Sequence, residues 1–148
     1  MRVGSRGEDR GFTLVELMIV VVIIGVLAAI SIPNFIAMTR RAQEGAVKAN
    51  MHTVQVSMED FSIQNEGNYA VNAASTTPDG RTLGQVCPGG TYPVNPFTQL
   101  PSVVNFNANP TAGNPGELGF NPALVNTYML KGNGPSGDTL RVVLTTGQ

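Results

Sequence analysis

The stretch FTLVELMIVVVIIGVLAAISI, Phe12 to Ile32, decides the fold of the N-terminal part of this 148-residue chain. It is apolar throughout except for a single charged side chain, Glu16. At about 1.5 Å per residue, a helix of this length matches a hydrocarbon core of roughly 30 Å. The sequence therefore predicts a membrane-spanning helix that carries one carboxylate close to its start.

A cleavable secretory signal peptide is the alternative interpretation of this stretch. Arg2, Arg6 and Arg10 supply a charged region before it, and Ala29 to Ser31 offers an acceptable cleavage site. The apolar region before that site exceeds the usual length of about 7–15 residues, and the helical pattern continues past it. A retained span is therefore favoured. Basic residues lie on both sides of the span, so charge alone leaves its orientation open.

The composition argues against several classes of function. A net charge of −1 gives no basic field for nucleic acid. The lone Cys87 cannot form a disulfide within the chain, and together with the lone His52 it falls far short of a zinc site. His52 and Glu59 are about 10.5 Å apart along a helix axis, too far to share a metal or a proton. We therefore expect no catalytic residues, metal or cofactor, and a secreted or membrane-anchored enzyme is the disfavoured alternative.

Changes in composition divide the chain into four predicted segments. Residues 1–11 are charged and contain glycine, as expected of a leader peptide, and residues 12–33 form the transmembrane segment. Residues 34–66 contain one glycine and no proline and continue as an amphipathic helix. Residues 67–148 contain 12 glycines, 9 prolines and 10 asparagines, which predicts a loop-rich β head.

The amphipathic helix has apolar residues on two faces. The first set is spaced 4, 3, 4, 3 and predicts a face that packs on the head: Val47, Met51, Val54, Met58 and Phe61. The second set is spaced by sevens and falls roughly opposite at 100° per residue: Ala42, Ala49, Val56 and Ile63. The second face is either an interface with another chain or chance spacing, and the sequence leaves both open.

The predicted fold class is α+β. The segments NTYMLK, Asn126 to Lys131, and TLRVVLTT, Thr139 to Thr146, flank the turn-forming GNGPSGD and predict a β-hairpin. Gly116 to Phe120 offers a further strand. We expect a long N-terminal helix, transmembrane in its first half and amphipathic in its second, packed on a small antiparallel sheet of three to four strands.

The segment GFTLVE, Gly11 to Glu16, is followed by the apolar run and by IPNF, Ile32 to Phe35. These residues closely resemble the N-terminal signature of type IV pilins and of the pseudopilins of type II secretion. The resemblance covers about the first 40 residues, and the remainder is similar only in architecture. It implies that a prepilin peptidase cuts between Gly11 and Phe12, and that the new amino group of Phe12 is methylated.

The resemblance also implies a location and a set of partners. Before assembly the subunit spans the inner membrane once with its N-terminus in the cytoplasm, and afterwards it lies in a periplasmic or extracellular filament. Implied partners are further copies of the chain, minor pilins or pseudopilins, the assembly platform and its ATPase. Pro33 cannot donate a backbone hydrogen bond to Ala29, so the helix is predicted to kink or loosen there. Pro33 and Gly25 both lie where helices of this family bend or unwind during packing.

Glu16 needs a cationic partner, because an ionised group inside a membrane helix is costly and usually marks a function. No cation occurs from Phe12 to Thr39, but cleavage after Gly11 would create an α-amino group, whose ordinary pKa of about 7.7–8.0 leaves it charged at neutral pH. The amine of the same chain is one candidate partner. The resemblance favours the amine of a neighbouring subunit, which would set the axial register of the filament.

The choice between pilin and pseudopilin is left open, with a slight preference for secretion. A single cysteine departs from the C-terminal disulfide usual in type IVa pilins, and TYPVNPFTQLP, Thr91 to Pro101, resembles a loop of the major G-type pseudopilins. The calcium site of those proteins is poorly supported, because Asp79, Glu117 and Asp138 are scattered. The function expected is a structural filament subunit that supports protein secretion. The alternative is a pilin for adhesion, motility or DNA uptake.

Overall fold

A computed structural model describes residues 11–124 and 127–146, with the side chains of 122–124 left out. Within these residues it contains, in chain order, α1 (Leu14–Gln64), α2 (Leu83–Val86), β1 (Val104–Phe106), β2 (Leu118–Leu124), β3 (Thr127–Asn133) and β4 (Thr139–Thr145). The predicted α+β class is confirmed. The predicted leader before Gly11, together with Asn126 of the predicted hairpin, lies outside the described residues.

Helix α1 is continuous over 51 residues and ends in a defined C-terminal cap. The Gly67 amide donates to the carbonyl of Ser62 at 2.8 Å. Glu66 and Gly67 both have positive φ angles, of 56° and 86°. This bond between residues five apart is typical of the Schellman motif, in which left-handed residues turn the chain away from the helix.

The four strands form one sheet in the order β1-β2-β3-β4. The pairs β2–β3 and β3–β4 are antiparallel, with Phe120 opposite Leu130 and Leu130 opposite Leu144. The predicted hairpin is therefore confirmed, and the strand predicted at Gly116 to Phe120 is present as β2. The sheet differs from the prediction at one edge, where β1 pairs with β2 in parallel. Residues 107–117 make the crossover that a parallel pair requires.

One hydrophobic core joins the second part of α1 to the sheet. The five residues of the first helical face are each at most 1% exposed, which confirms that this face packs on the head. They share a cluster with side chains of β2 and β3: Leu118, Phe120, Tyr128 and Leu130. Gly132 permits the close approach, since a Cβ there would lie 2.9 Å from both Met51 Sδ and Val47 Cγ1. Contacts between residues group the chain into two compact units. This core belongs to the unit that begins at Thr39.

Candidate functional site

The first turn of α1 is closed by a reciprocal pair of hydrogen bonds between Thr13 and Glu16. The Thr13 amide donates to Glu16 Oε2 at 3.0 Å, and the Thr13 hydroxyl donates to the same oxygen at 2.9 Å. The Glu16 amide donates to Thr13 Oγ1 at 3.2 Å. This arrangement is a capping box, in which two otherwise unpaired amides of the helix N-terminus are satisfied. Both bonds to the carboxylate use Oε2, so Oε1 can accept a bond from a further cation.

The two residues of the predicted cleavage site lie just before this cap and are open to an enzyme. Gly11 has no heavy atom within 4 Å of the position a Cβ would take, and Phe12 is 80% exposed. Helix α1 begins only at Leu14, so the Gly11–Phe12 bond lies outside the helix. A peptidase that binds an extended segment could therefore reach it without unwinding α1.

The N-terminal unit, which ends at Met38, presents its apolar side chains on every side of α1. It contains a helical segment long and apolar enough to cross a membrane. The helix is continuous through Gly25 and Pro33, and the Asn34 side chain donates to the Ile30 carbonyl at 3.2 Å. A bend at Pro33 and a role for Gly25 in assembly stay predictions. The space around a Cβ at Gly25 is open to 4 Å, which leaves room for close packing by another helix.

Glu59, a candidate catalytic group by residue type alone, has a structural role instead. Its carboxylate accepts hydrogen bonds from the hydroxyls of Tyr128 at 2.7 Å and Tyr69 at 3.0 Å. Burial, and secondarily the Glu59 carboxylate, raises the pKa of Tyr128. His52 faces Gln55, with Nδ1 and Oε1 3.4 Å apart. In the part of the chain that the structure describes, no three of the His, Cys, Asp and Glu residues lie close enough to hold a metal.

Glu117 holds together the crossover between β1 and β2, a role that its sequence context did not indicate. Its carboxylate accepts bonds from the Thr111 amide at 2.9 Å, from Asn114 Nδ2 at 2.7 Å and from Asn105 Nδ2. Only 5% of the residue is exposed. Burial by itself would raise the pKa of Glu117. The hydrogen bonds donated to its carboxylate outweigh burial and hold the pKa below its ordinary value. The ionised carboxylate therefore organises a loop that has no regular structure of its own.

The Asn-Pro-aromatic loop at Thr91 to Pro101 is anchored at two points. Asn50 Nδ2 of α1 donates to the Val94 carbonyl at 2.7 Å, and Asn95 Nδ2 donates to the Pro115 carbonyl at 2.9 Å. Gly116 lies directly against the Asn95 side chain and has a φ of +72°, so a larger residue there would displace this anchor. The loop is therefore a fixed part of the head surface.

Cys87 lies just before this loop and is 3% exposed. Burial raises the pKa of its thiol, so the reactive thiolate form is disfavoured at neutral pH. The thiol therefore behaves as a packing group.

Comparison with known proteins gives one family model and several relatives. A family model described as the prokaryotic N-terminal methylation motif matches residues 7–32. The type IV major pilin protein PilA of Myxococcus xanthus is 51% identical over 54 residues, which are 36% of this chain and 24% of that protein. The type IV narrow pilus major component PilA5 of Thermus thermophilus is 37% identical over 71 residues, 48% of this chain and 61% of that protein.

A second group of relatives belongs to type II secretion. The type II secretion system core protein G of Pseudomonas aeruginosa is 32% identical over 61 residues, 41% of this chain and 43% of that protein. The chain thus spans between 24% and 61% of the length of these three relatives. No solved structure matches. The fold has a pilin-like layout, and the resemblance to type IV pilins and type II secretion pseudopilins is confirmed.

Proposed function

We propose that this chain is a structural subunit of a type IV pilus-like filament or a type II secretion pseudopilus. The observation that carries the proposal is the first half of α1, which exposes apolar side chains on all sides and bears one carboxylate at its start. Lipid can cover such a helix before assembly, and the equivalent helices of neighbouring subunits can cover it afterwards. The chain itself has no catalytic role in this proposal.

Maturation prepares the N-terminus for assembly. A prepilin peptidase cuts between Gly11 and Phe12 on the cytoplasmic side, and the new amine of Phe12 is methylated. The charged amine of one subunit then meets Glu16 of another subunit. Because the cap occupies only Oε2, the carboxylate can bind that amine through Oε1 while the helix start stays closed. A charge-assisted bond of this kind would reward one axial register as each subunit is added.

Substitution of Glu16 tests this assignment. Glu16→Ala should leave cleavage and membrane insertion intact and lower incorporation into filaments at least about tenfold in competition with wild type, which corresponds to about 1.4 kcal/mol. Asp60→Ala, which removes an exposed carboxylate from the second half of α1, is the matched control. Equal amounts of Glu16→Ala and wild-type chains in sheared filaments would contradict the role of Glu16. Intact mass of the mature chain checks processing, and a chain beginning at Ile32 would refute the proposal as a whole.

Different observations favour the two kinds of filament. The single cysteine and the Asn-Pro-aromatic loop favour the secretion pseudopilus, whereas the 51% identity to a Myxococcus pilin favours a pilus for adhesion, motility or DNA uptake. Deletion of the gene separates them. A secretion role predicts that specific proteins disappear from the culture medium while surface pili remain, and a pilus role predicts the reverse.

A further inference from the structure

Asn133, at the end of β3, is the only asparagine in the chain that is followed by glycine. An Asn-Gly pair is prone to deamidation, in which the backbone nitrogen of the glycine attacks the side-chain carbonyl carbon of the asparagine. Glycine favours this attack because it has no Cβ in the way and leaves the backbone free to turn. The pair is therefore a candidate site of spontaneous chemical modification in the head.

Deamidation would change the side chain at position 133 in two steps. The Gly134 nitrogen loses its proton and forms a bond to Cγ of Asn133, while the bond from Cγ to Nδ2 breaks and the side-chain nitrogen leaves as ammonia. The product is a five-membered succinimide ring. Water then adds to either carbonyl of the ring and opens it to aspartate or to isoaspartate. Water is the co-reactant, and no electrons are gained or lost.

The fold holds both nitrogens that take part in ring closure. Asn133 is 0% exposed, and its Nδ2 donates to the carbonyls of Thr111 at 2.7 Å and Asn114 at 3.0 Å. The Gly134 amide donates to the Asp138 carbonyl at 2.9 Å. Ring closure would have to break these three hydrogen bonds and turn Asn133 out of its strand. The folded head therefore opposes the reaction, whereas an unfolded chain permits it.

The products of deamidation do not fit the folded site. The Asn133 amide group is a donor to two carbonyls, whereas an aspartate carboxylate only accepts and would face the oxygens of Thr111 and Asn114. The backbone amide of Asn133 donates to the Glu117 carbonyl at 3.0 Å, so the new charge would enter the loop that the Glu117 carboxylate already organises. Isoaspartate also adds a carbon atom to the backbone of β3. A buried carboxylate without donors disfavours the folded state.

We propose that the Asn133–Gly134 pair is a deamidation site that folding shields and that, once converted in an unfolded chain, keeps the crossover between β1 and β2 from forming again. A folded chain retains the amide, and a chain that stays unfolded gradually loses the ability to fold. The proposal goes beyond the filament function, because it concerns the head unit alone.

Incubation of the full chain in nonionic detergent at pH 8, with and without guanidinium chloride, tests the shielding. Peptide mapping by mass spectrometry should show conversion at position 133 at least about tenfold faster in denaturant, because the folded chain opens only rarely. Four asparagines that precede proline lack the attacking N–H and serve as internal controls: Asn95, Asn109, Asn114 and Asn121. Equal rates in the folded and the unfolded chain would overturn the shielding.

Refolding after the same incubation tests the consequence. The yield of folded chain should fall in step with the converted fraction, and aspartate and isoaspartate should be concentrated in the chains that stay unfolded. Gly134→Ala hinders ring closure, and its Cβ would meet only the flexible end of the Leu140 side chain, at 3.0 Å, within hydrogen-bonded turn geometry that it leaves intact. This variant should keep its refolding yield. Converted wild-type chains that refold as well as unconverted chains would overturn the proposal.

Asn133→Asp examines one product directly. It should raise the equilibrium constant for unfolding at least about tenfold, since two donated hydrogen bonds are lost inside the head. Asn72→Asp is the matched control, because Asn72 is exposed and its Oδ1 accepts bonds from the Ala74 amide at 2.9 Å and the Ser75 hydroxyl at 3.2 Å, which a carboxylate also accepts. Equal stability of the two variants would overturn the proposal and leave the filament function standing.

Discussion

The two halves of α1 place their apolar side chains in opposite ways. From Leu14 to Met38 these side chains are exposed around the whole helix, apart from a half-exposed Ala28. From Thr39 to Gln64 one face is buried against the sheet and the opposite face remains exposed. The first half therefore exposes apolar surface that the second half buries, and the second half is stabilised within its own chain. In the proposed function, the first half serves assembly and the second half serves folding.

Among substitutions that distinguish the two halves of α1, the largest effect on the free energy of unfolding is expected at the buried face of the second half. Phe61→Ala should lower the free energy of unfolding by about 3–5 kcal/mol, because it leaves a cavity between α1 and the sheet. Ile63→Ala, two residues away and 80% exposed, should change it by no more than about 0.5 kcal/mol. Urea unfolding of the full chain in detergent, followed by near-ultraviolet circular dichroism of the tyrosines, measures both. Similar losses for the two variants would mean that α1 has no distinct buried face.

A smaller effect is expected at Glu117, which lies in the folded unit and binds only groups of its own chain. Glu117→Gln should destabilise the full chain by about 1–3 kcal/mol at pH 7, because it removes an acceptor that pairs buried donors. Since folding lowers the pKa of Glu117, ionisation stabilises the fold above the unfolded pKa of about 4.3, and this contribution is lost as the pH falls further.

Urea unfolding at pH 7 and at pH 3 measures this dependence. The difference between wild type and Glu117→Gln should shrink at pH 3. Asp138→Asn, an exposed carboxylate in the turn before β4, is the control and should have little effect at either pH. A difference that is the same at both pH values would show that the charge of Glu117 does not stabilise the loop.

The smallest effect is expected at the start of the first half. Thr13→Val removes the hydroxyl of the capping box and should cost about 1 kcal/mol, seen as roughly fivefold faster hydrogen exchange of the first-turn amides. Thr53→Val is the matched control, because the Thr53 hydroxyl donates to the Ala49 carbonyl within the helix and caps nothing. If exchange at the first turn is unchanged by Thr13→Val, the cap does not stabilise this end of α1.

Periodicity made the helix and the hairpin predictable from the sequence. The spacing of Val47 to Phe61 identified the buried face, because only a helix brings residues at those intervals onto one side. The hairpin followed from two β-rich segments around a glycine-rich turn. By contrast, β1 was not predictable, because it has only three residues and lies in an asparagine-rich region. Its parallel pairing with β2 depends on the folded crossover rather than on a local sequence pattern.

The candidate site was predictable in part. The segment Gly11 to Glu16 indicates processing and a carboxylate that needs a partner, and its Thr-x-x-Glu spacing is also the sequence signal of the capping box. The sequence around Glu117 indicates neither a calcium site nor the role of this residue in the crossover. Its true partners come from Asn105, Thr111 and Asn114, whose proximity depends on the loop rather than on any sequence interval.

The shared core of α1 and the sheet has a consequence for the order of synthesis. Phe61 belongs to the same core as Leu130, which leaves the ribosome 69 residues later, or roughly 3–14 seconds at typical rates of translation. During that interval the buried face of α1 has no strand to cover it. The nascent chain therefore carries an uncovered apolar surface on α1, which must be shielded, for example by a chaperone, until β3 emerges.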